Sequence, residues 1–171
     1  MFTGWDSFYL MIGGAAGALI GLLFVVATLT GGLGADKAQL GAKIYLTPTV
    51  FHFAVVLTVS AITAVPHLGA EASGGLLAAA AVLGLIYSLN VGRMLRGPVH
   101  LEAPHWTDFW CYAVAPGVTY LAQVAAAGAL WMGVPWAQDA LAAALIGLLL
   151  ITIRNAWDLV TTIAPIANSK P

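Results

Sequence analysis

The chain has 171 residues, of which 61% are hydrophobic and 8% are charged, and its formal net charge at pH 7 is −1. A soluble domain usually carries about 25% charged residues, so this composition excludes an ordinary water-soluble fold, and we expect no nucleic-acid partner. The single cysteine, Cys111, excludes an intrachain disulfide.

Five long apolar segments follow one another along the chain. Each is close to the ~20 residues that an α-helix needs to cross ~30 Å of hydrocarbon. Little chain is left between them, so we expect residues 1–171 to form a single transmembrane domain. The sequence therefore predicts an all-α, polytopic membrane bundle of five helices, spanning residues 8–30, 48–65, 75–95, 109–132 and 140–157.

The basic residues alternate between the ends of these segments. Cationic side chains resist crossing during insertion, so cytoplasmic loops retain them. The N-terminal tail and the second and fourth gaps contain no lysine or arginine. This pattern predicts an outside N-terminus and a cytoplasmic C-terminus, with all six bases on the cytoplasmic side: Lys37, Lys43, Arg93, Arg96, Arg154 and Lys170.

Small residues recur at four-residue spacing in the first and third segments. Glycines on one helix face let another backbone approach closely in a membrane, where no hydrophobic force drives helices together. The row is consistent with packing inside the bundle or with contact between subunits, and we expect the latter for Gly13, Gly17 and Gly21. The third segment carries a similar row, Ala80, Gly84, Ser88 and Gly92.

The fourth segment has one polar face. Tyr112, Pro116, Thr119 and Gln123 are offset by 0, 4, 7 and 11 positions, which places them along one side of a helix. Pro116 has no N–H to donate to the carbonyl of Tyr112, so the sequence predicts a kink and a free carbonyl there.

Other polar residues of the spans also gather toward the predicted cytoplasmic half. Such groups are costly in hydrocarbon, so they face the bundle interior, pair, or line a wet cavity. One interpretation is a hydrogen-bond network that joins helices, and the other is a vestibule for a solute or an ion. The candidate vestibule residues are His52, Tyr87, Asn90, Tyr112, Thr119, Gln123, Arg154, Asn155 and Asp158.

The histidines raise the questions of haem and metal. His52 and His67 are assigned to the second helix, about 22 Å apart along its axis, a spacing comparable to that of axial histidines in diheme cytochromes. No other predicted span contains a histidine, so we expect no cofactor and keep haem b as an alternative. The loop from His100 to Asp108 holds two histidines and two carboxylates but matches no specific metal site, so we expect no bound metal.

Motifs of catalysis are missing from the sequence. It has no glycine-rich phosphate loop with lysine, no nucleophile elbow and no His-Glu-x-x-His helix. No lysine lies inside a span, which excludes a retinal Schiff base. We therefore expect that the protein is not an enzyme.

Three short stretches carry a resemblance. Residues 21–29, 47–53 and 154–161 read GLLFVVATL, TPTVFHF and RNAWDLVT. They resemble short blocks of a group of small bacterial inner-membrane proteins of unassigned function. The resemblance implies a multi-pass protein of a bacterial inner (cytoplasmic) membrane and no activity.

Three functional hypotheses follow. The first is a homo-oligomeric channel or facilitator for a small solute or ion, since about 18 kDa is small for a complete carrier. The second is an accessory or scaffold subunit of a larger membrane complex. The third is a b-type haem protein. The expected partners are the lipid bilayer and either further copies of the chain or a larger membrane complex.

Overall fold

The computed structural model describes residue 2 and residues 4–30, 45–97 and 106–168, and this part of the chain contains helices and no strand. Five of its helices are long and apolar enough to cross a membrane, which confirms the predicted five-helix, multi-pass architecture. We number them α1 (Asp6–Thr30), α2 (Thr47–Ala64), α3 (Ala70–Arg96), α4 (Trp106–Trp131) and α5 (Ala137–Asn168).

Two helices are longer than the apolar segments that predicted them. Helix α3 begins at Ala70 rather than at position 75, and α5 continues to Asn168 rather than ending at 157. Hydropathy marks the part of a helix that lies in hydrocarbon, whereas backbone hydrogen bonding continues into the interface. Both extensions therefore lengthen the helices without changing the number of spans.

Helices α2 to α5 form a closed ring. Helix α2 packs against α3 and α5, and α4 packs against the same two helices. Short turns join α2 to α3 and α4 to α5, so these neighbours are antiparallel, as in an up-and-down four-helix bundle. Helix α1 packs on α2 and, over a smaller area, on α5. The interior of the ring shields polar side chains of the spans, and among the described residues Ser60 is also buried where α2 packs on α1.

The described arginines gather at one end of the bundle together with Asp108 and Asp158, whereas the charged residues described at the other end are all acidic. Asp6, Glu71 and Asp139 lie in the first turns of α1, α3 and α5. At the other end, Arg96 lies over the Phe109 ring at the beginning of α4, 4.2 Å from its centroid. Which end faces the cytoplasm stays a prediction. The described arginines Arg93, Arg96 and Arg154 share the second end, whereas Lys37, Lys43 and Lys170 lie outside the described residues.

The glycine row of α1 is divided between two environments. A Cβ atom at Gly13 would come within 2.8 Å of the Ser60 Cβ on α2, so this glycine permits close packing within the chain. A Cβ at Gly17 or Gly21 would meet nothing within 4 Å. Only the latter two positions are open to another molecule.

Candidate functional site

Helix α4 contains a π turn directly after its first α-helical turn, Trp106–Phe109. Residues Trp110–Val114 have π geometry, and the Ala115 N–H donates to the carbonyl of Trp110, five residues back. In this register the next donor would be the N–H of residue 116, and Pro116 has none. The carbonyl that loses its partner is therefore that of Cys111. π turns inside α-helices occur frequently at functional sites.

The side chain of Asn155 on α5 replaces the missing donor. Its Nδ2 donates to the Cys111 carbonyl at 2.8 Å. The sequence placed the freed carbonyl at Tyr112, and the π turn moves it one residue toward the N-terminus. An α-helical register was assumed there, and a single-residue change of register is not visible in hydropathy or spacing.

Asn155 is the centre of a network that joins α5 to α4. The hydroxyl of Tyr112 donates to the backbone carbonyl of Asn155 at 3.1 Å. Arg154, exposed at the rim, donates from Nη1 to Asn155 Oδ1 at 3.2 Å. Both polar atoms of the buried Asn155 side chain therefore have partners inside the protein. This part of the predicted vestibule has the character of a structural network.

A second contact at the same end was not predicted. The hydroxyl of Tyr45, just before α2, donates to Asp108 Oδ2 at 3.2 Å. Burial raises the pKa of Tyr45 to about 12, and the carboxylate of Asp108 adds to the rise because it disfavours a nearby phenolate. Tyr45 thus remains a neutral hydrogen-bond donor at any physiological pH.

The second polar group lies in the middle of the bundle. His52 on α2 is fully buried, and its Nδ1 lies 2.7 Å from the hydroxyl of Tyr120 on α4. Tyr120 is about halfway between Trp110 and Trp131, two exposed rings near the ends of α4. Because tryptophan favours the headgroup level, this position corresponds to the centre of the bilayer.

Tyr120 is a polar residue of the fourth span that the sequence analysis did not include among the candidate vestibule residues. Its ring occupies the space above Gly84 on α3, where an added Cβ atom would overlap it. The signal was present, since Gly84 belongs to the small-residue row of α3 and Tyr120 has a polar hydroxyl at mid-span. What was missing is the rotation of α4, which brings positions 52 and 120 together.

Within the described residues, several buried polar atoms near this pair have no hydrogen-bond partner. They include Nε2 of His52 and both amide atoms of Gln123, which lies one turn beyond Tyr120 on α4. The Gln123 side chain is only 1% exposed. An unsatisfied polar group away from water costs free energy, so orphaned groups at one depth of one bundle call for an explanation.

Two further vestibule residues make local contacts only. The Thr119 hydroxyl donates to the Pro116 carbonyl of its own helix at 2.7 Å. Asn90 is exposed, and its Oδ1 accepts a hydrogen bond from Arg93 Nη1 at 3.0 Å. Neither polar group belongs to the buried site.

Tyr87 and Asp158 lie at the borders of the two polar groups. Tyr87 is half-buried and stacks on Phe51, with ring centroids 4.0 Å apart, and its edge faces His52. Asp158 is half-buried one turn beyond Arg154. The predicted vestibule is thus divided into a rim network around Asn155 and a mid-membrane site at His52, Tyr120 and Gln123.

The position of His67 agrees with the predicted end of the second span at residue 65 and excludes the alternative in which His67 shares a helix with His52. Helix α2 ends at Ala64, and His67 lies exposed in the following turn with a φ of 60°. Pro66 lies between the end of α2 and His67, so the two histidines do not share a helix. Haem b stays a prediction. The loop histidines, His100 and His105, lie outside the described residues.

No protein-family model matches this chain, and neither a curated protein nor a solved structure matches it. The resemblance to small bacterial inner-membrane proteins therefore stays a prediction. Function has to be argued from the geometry and chemistry of the site.

Proposed function

We propose that the protein is a membrane channel or facilitator that conducts a small, uncharged, hydrogen-bonding solute through the ring of α2 to α5. The observation that carries the proposal is the group of orphaned polar atoms at mid-depth, His52 Nε2 and both amide atoms of Gln123. A solute with donors and acceptors would satisfy them where it is farthest from water.

The free-energy cost of unsatisfied polar groups favours a bound solute at this position. Each unsatisfied polar group in hydrocarbon costs on the order of several kcal/mol. A permeating solute loses its own hydration at the same depth. Hydrogen bonds between the solute and these side chains therefore lower the free-energy barrier to permeation and satisfy the polar groups of the protein. Gln123 offers two donors and a carbonyl acceptor, and His52 adds one ring nitrogen.

The solute is uncharged in this proposal because the buried polar side chains are themselves neutral. Among the described residues, the buried polar positions are threonine, serine, histidine, glutamine and asparagine, without a carboxylate, lysine or arginine. An ion at mid-depth would need a counter-charge or several aligned carbonyls. Neutral donors and acceptors suit an uncharged solute with hydrogen-bonding groups, such as a small amide or polyol.

Flux into reconstituted vesicles tests the proposal. Osmotic swelling measured by stopped-flow light scattering, with a panel of small amides and polyols, should be faster with the protein than without it. Gln123→Leu should reduce that increment severalfold for the conducted solute. Thr119→Val is the matched control, because its hydroxyl is bonded within its own helix, and it should leave the increment unchanged.

Stability separates this outcome from misfolding. Gln123→Leu removes two orphaned groups, so the folded protein should be as stable as before or more stable, by about 1–3 kcal/mol. Loss of flux together with unchanged or higher stability supports a solute site. Absence of flux for every solute in the panel contradicts the proposal.

An accessory subunit of a larger complex is the second candidate, and one observation favours it. Helix α1 is the least buried of the five spans, and Gly17 and Gly21 leave a smooth outer face. A native mass of the complex extracted from its own membrane distinguishes the two candidates. Multiples of the chain mass support a homo-oligomeric facilitator, and a larger heterogeneous mass supports a subunit role.

A further inference from the structure

A groove runs along the lipid-facing seam between α3 and α4, away from the mid-membrane site. Its volume is about 390 Å³, within the range of pockets that hold small ligands. It extends from Leu85 to Arg96 on α3, a rise of about 16 Å at 1.5 Å per residue. That length is roughly half of the ~30 Å hydrocarbon thickness, so the groove spans one leaflet.

Gly117 keeps part of this groove open. A Cβ atom at Gly117 would have as its nearest neighbour only the Ser88 Cβ, at 4.0 Å, whereas a Cβ at the buried Gly92 would come within 3.3 Å of the Ala113 Cβ. The remaining wall is mostly aliphatic. The groove therefore has a lining that suits a hydrocarbon chain.

The mouth of the groove is basic. Arg93 and Arg96 line it at the end of α3, and both are exposed. The Arg96 guanidinium lies over Phe109 at 4.2 Å, and Arg93 is held by Asn90 at 3.0 Å. Each contact orients a guanidinium while leaving other N–H donors free, and these match the oxygens of a phosphate.

An independent observation lies in the wall. Ser88 is 1% exposed, and its Oγ has no hydrogen-bond partner in the protein although the residue lines the groove. A serine in the middle of an apolar wall is costly without a partner. An ester or hydroxyl oxygen near the top of an acyl chain would satisfy it.

We propose that this groove binds one anionic phospholipid, with its phosphate at Arg93 and Arg96 and one acyl chain along the open surface at Gly117. Two adjacent arginines disfavour a headgroup that carries its own cationic group and favour one with net negative charge. The site is separate from the solute path and does not depend on it.

Native mass spectrometry of the full chain in detergent tests the site. After delipidation the protein is titrated with phosphatidylglycerol or phosphatidylcholine of identical acyl chains. Phosphatidylglycerol should bind at least tenfold more tightly, with one lipid retained per chain. Arg93→Gln with Arg96→Gln should lower its affinity at least tenfold, and the two lysine substitutions should restore part of it.

Matched variants isolate the groove from general charge and from folding. Arg154→Gln removes a positive charge at the same end but outside the groove, and should change affinity less than twofold. Gly117→Leu should block the acyl chain and lower affinity. Gly128→Leu, at a position with nothing within 4 Å, should not. If Gly117→Leu fails to fold, as judged by circular dichroism, the surface arginine variants decide the question.

Three results would overturn the inference. The first is equal affinity for the two lipids. The second is retention of phosphatidylglycerol by the double glutamine variant. The third is displacement of the lipid by inorganic phosphate at the same concentration, which would show that the arginines bind phosphate without using the groove.

Discussion

Asn155 and Pro116 illustrate how one residue creates a requirement that another satisfies. Proline removes a backbone donor inside a span, where water is not present to replace it. The side-chain amide of Asn155 on α5 donates a hydrogen bond to the freed carbonyl of Cys111 on α4 at 2.8 Å. The pair therefore couples the π turn of α4 to the position of α5.

This coupling is measurable by a double-mutant cycle. Asn155→Leu should destabilise the protein by about 1–2 kcal/mol, because a buried carbonyl loses its donor. In a Pro116→Ala background, which restores an N–H to α4, the same substitution should cost clearly less. Unfolding in mixed detergent micelles provides the free energies. Equal penalties in both backgrounds would show that Asn155 does not serve the proline.

The number of long helices follows from hydropathy, whereas the ends of α3 and α5 and the internal irregularities of the helices do not. Hydropathy averages over a span and cannot register the shift of one hydrogen bond that makes the π turn of α4. Likewise, Thr47-Pro48 is typical of a helix start. Pro48 does lie in the first turn of α2, but Leu46 occupies the cap position and makes no side-chain cap bond.

The contact of α3 with α4 depends on Gly84. An added Cβ there overlaps the Tyr120 ring, so Gly84→Ala should displace that ring from His52 and destabilise the protein by about 1–3 kcal/mol. Gly75→Ala, on the same helix at a position open to its surroundings, is the control and should be neutral or slightly stabilising. Equal unfolding free energies for the two variants would argue against this packing.

For the molecule as a whole, the sequence predicted five spans correctly, because apolar length and low charge are properties of each segment alone. The candidate site was predicted only in part. His52 and Gln123 are recognisable as polar residues inside apolar spans. The partnership of His52 with Tyr120 joins positions 68 residues apart and depends on the rotation of α4 within the ring, which periodicity does not specify.

The orientation of the whole bundle relative to the two sides of the membrane is a testable prediction. In a chain with Cys111 replaced by alanine, a cysteine at the exposed Glu71 position should react with a membrane-impermeant maleimide on intact cells. A cysteine at Arg96 should react only after the membrane is opened. The reason is that all described arginines lie at the opposite end of the bundle from Glu71. The opposite pattern of labelling would invert the assignment.

Assembly through α1 is tested by two glycines in the same row. Gly17 is open and Gly13 is packed on Ser60. Gly17→Leu should therefore lower the native mass in detergent while leaving a folded chain, and Gly13→Leu should destabilise the chain itself. An unchanged mass for Gly17→Leu would remove this face from the subunit interface.

The proposed function requires that a polar solute reaches Gln123 in the middle of the membrane. The most direct measurement is the rate at which a small, neutral, water-soluble thiol reagent modifies a cysteine at position 123, in the Cys111→Ala background. Ala81→Cys, a fully buried apolar position on α3, is the dry reference. We expect position 123 to be modified at least tenfold faster than position 81, and a conducted solute to slow that modification. Equal protection of both cysteines would contradict it.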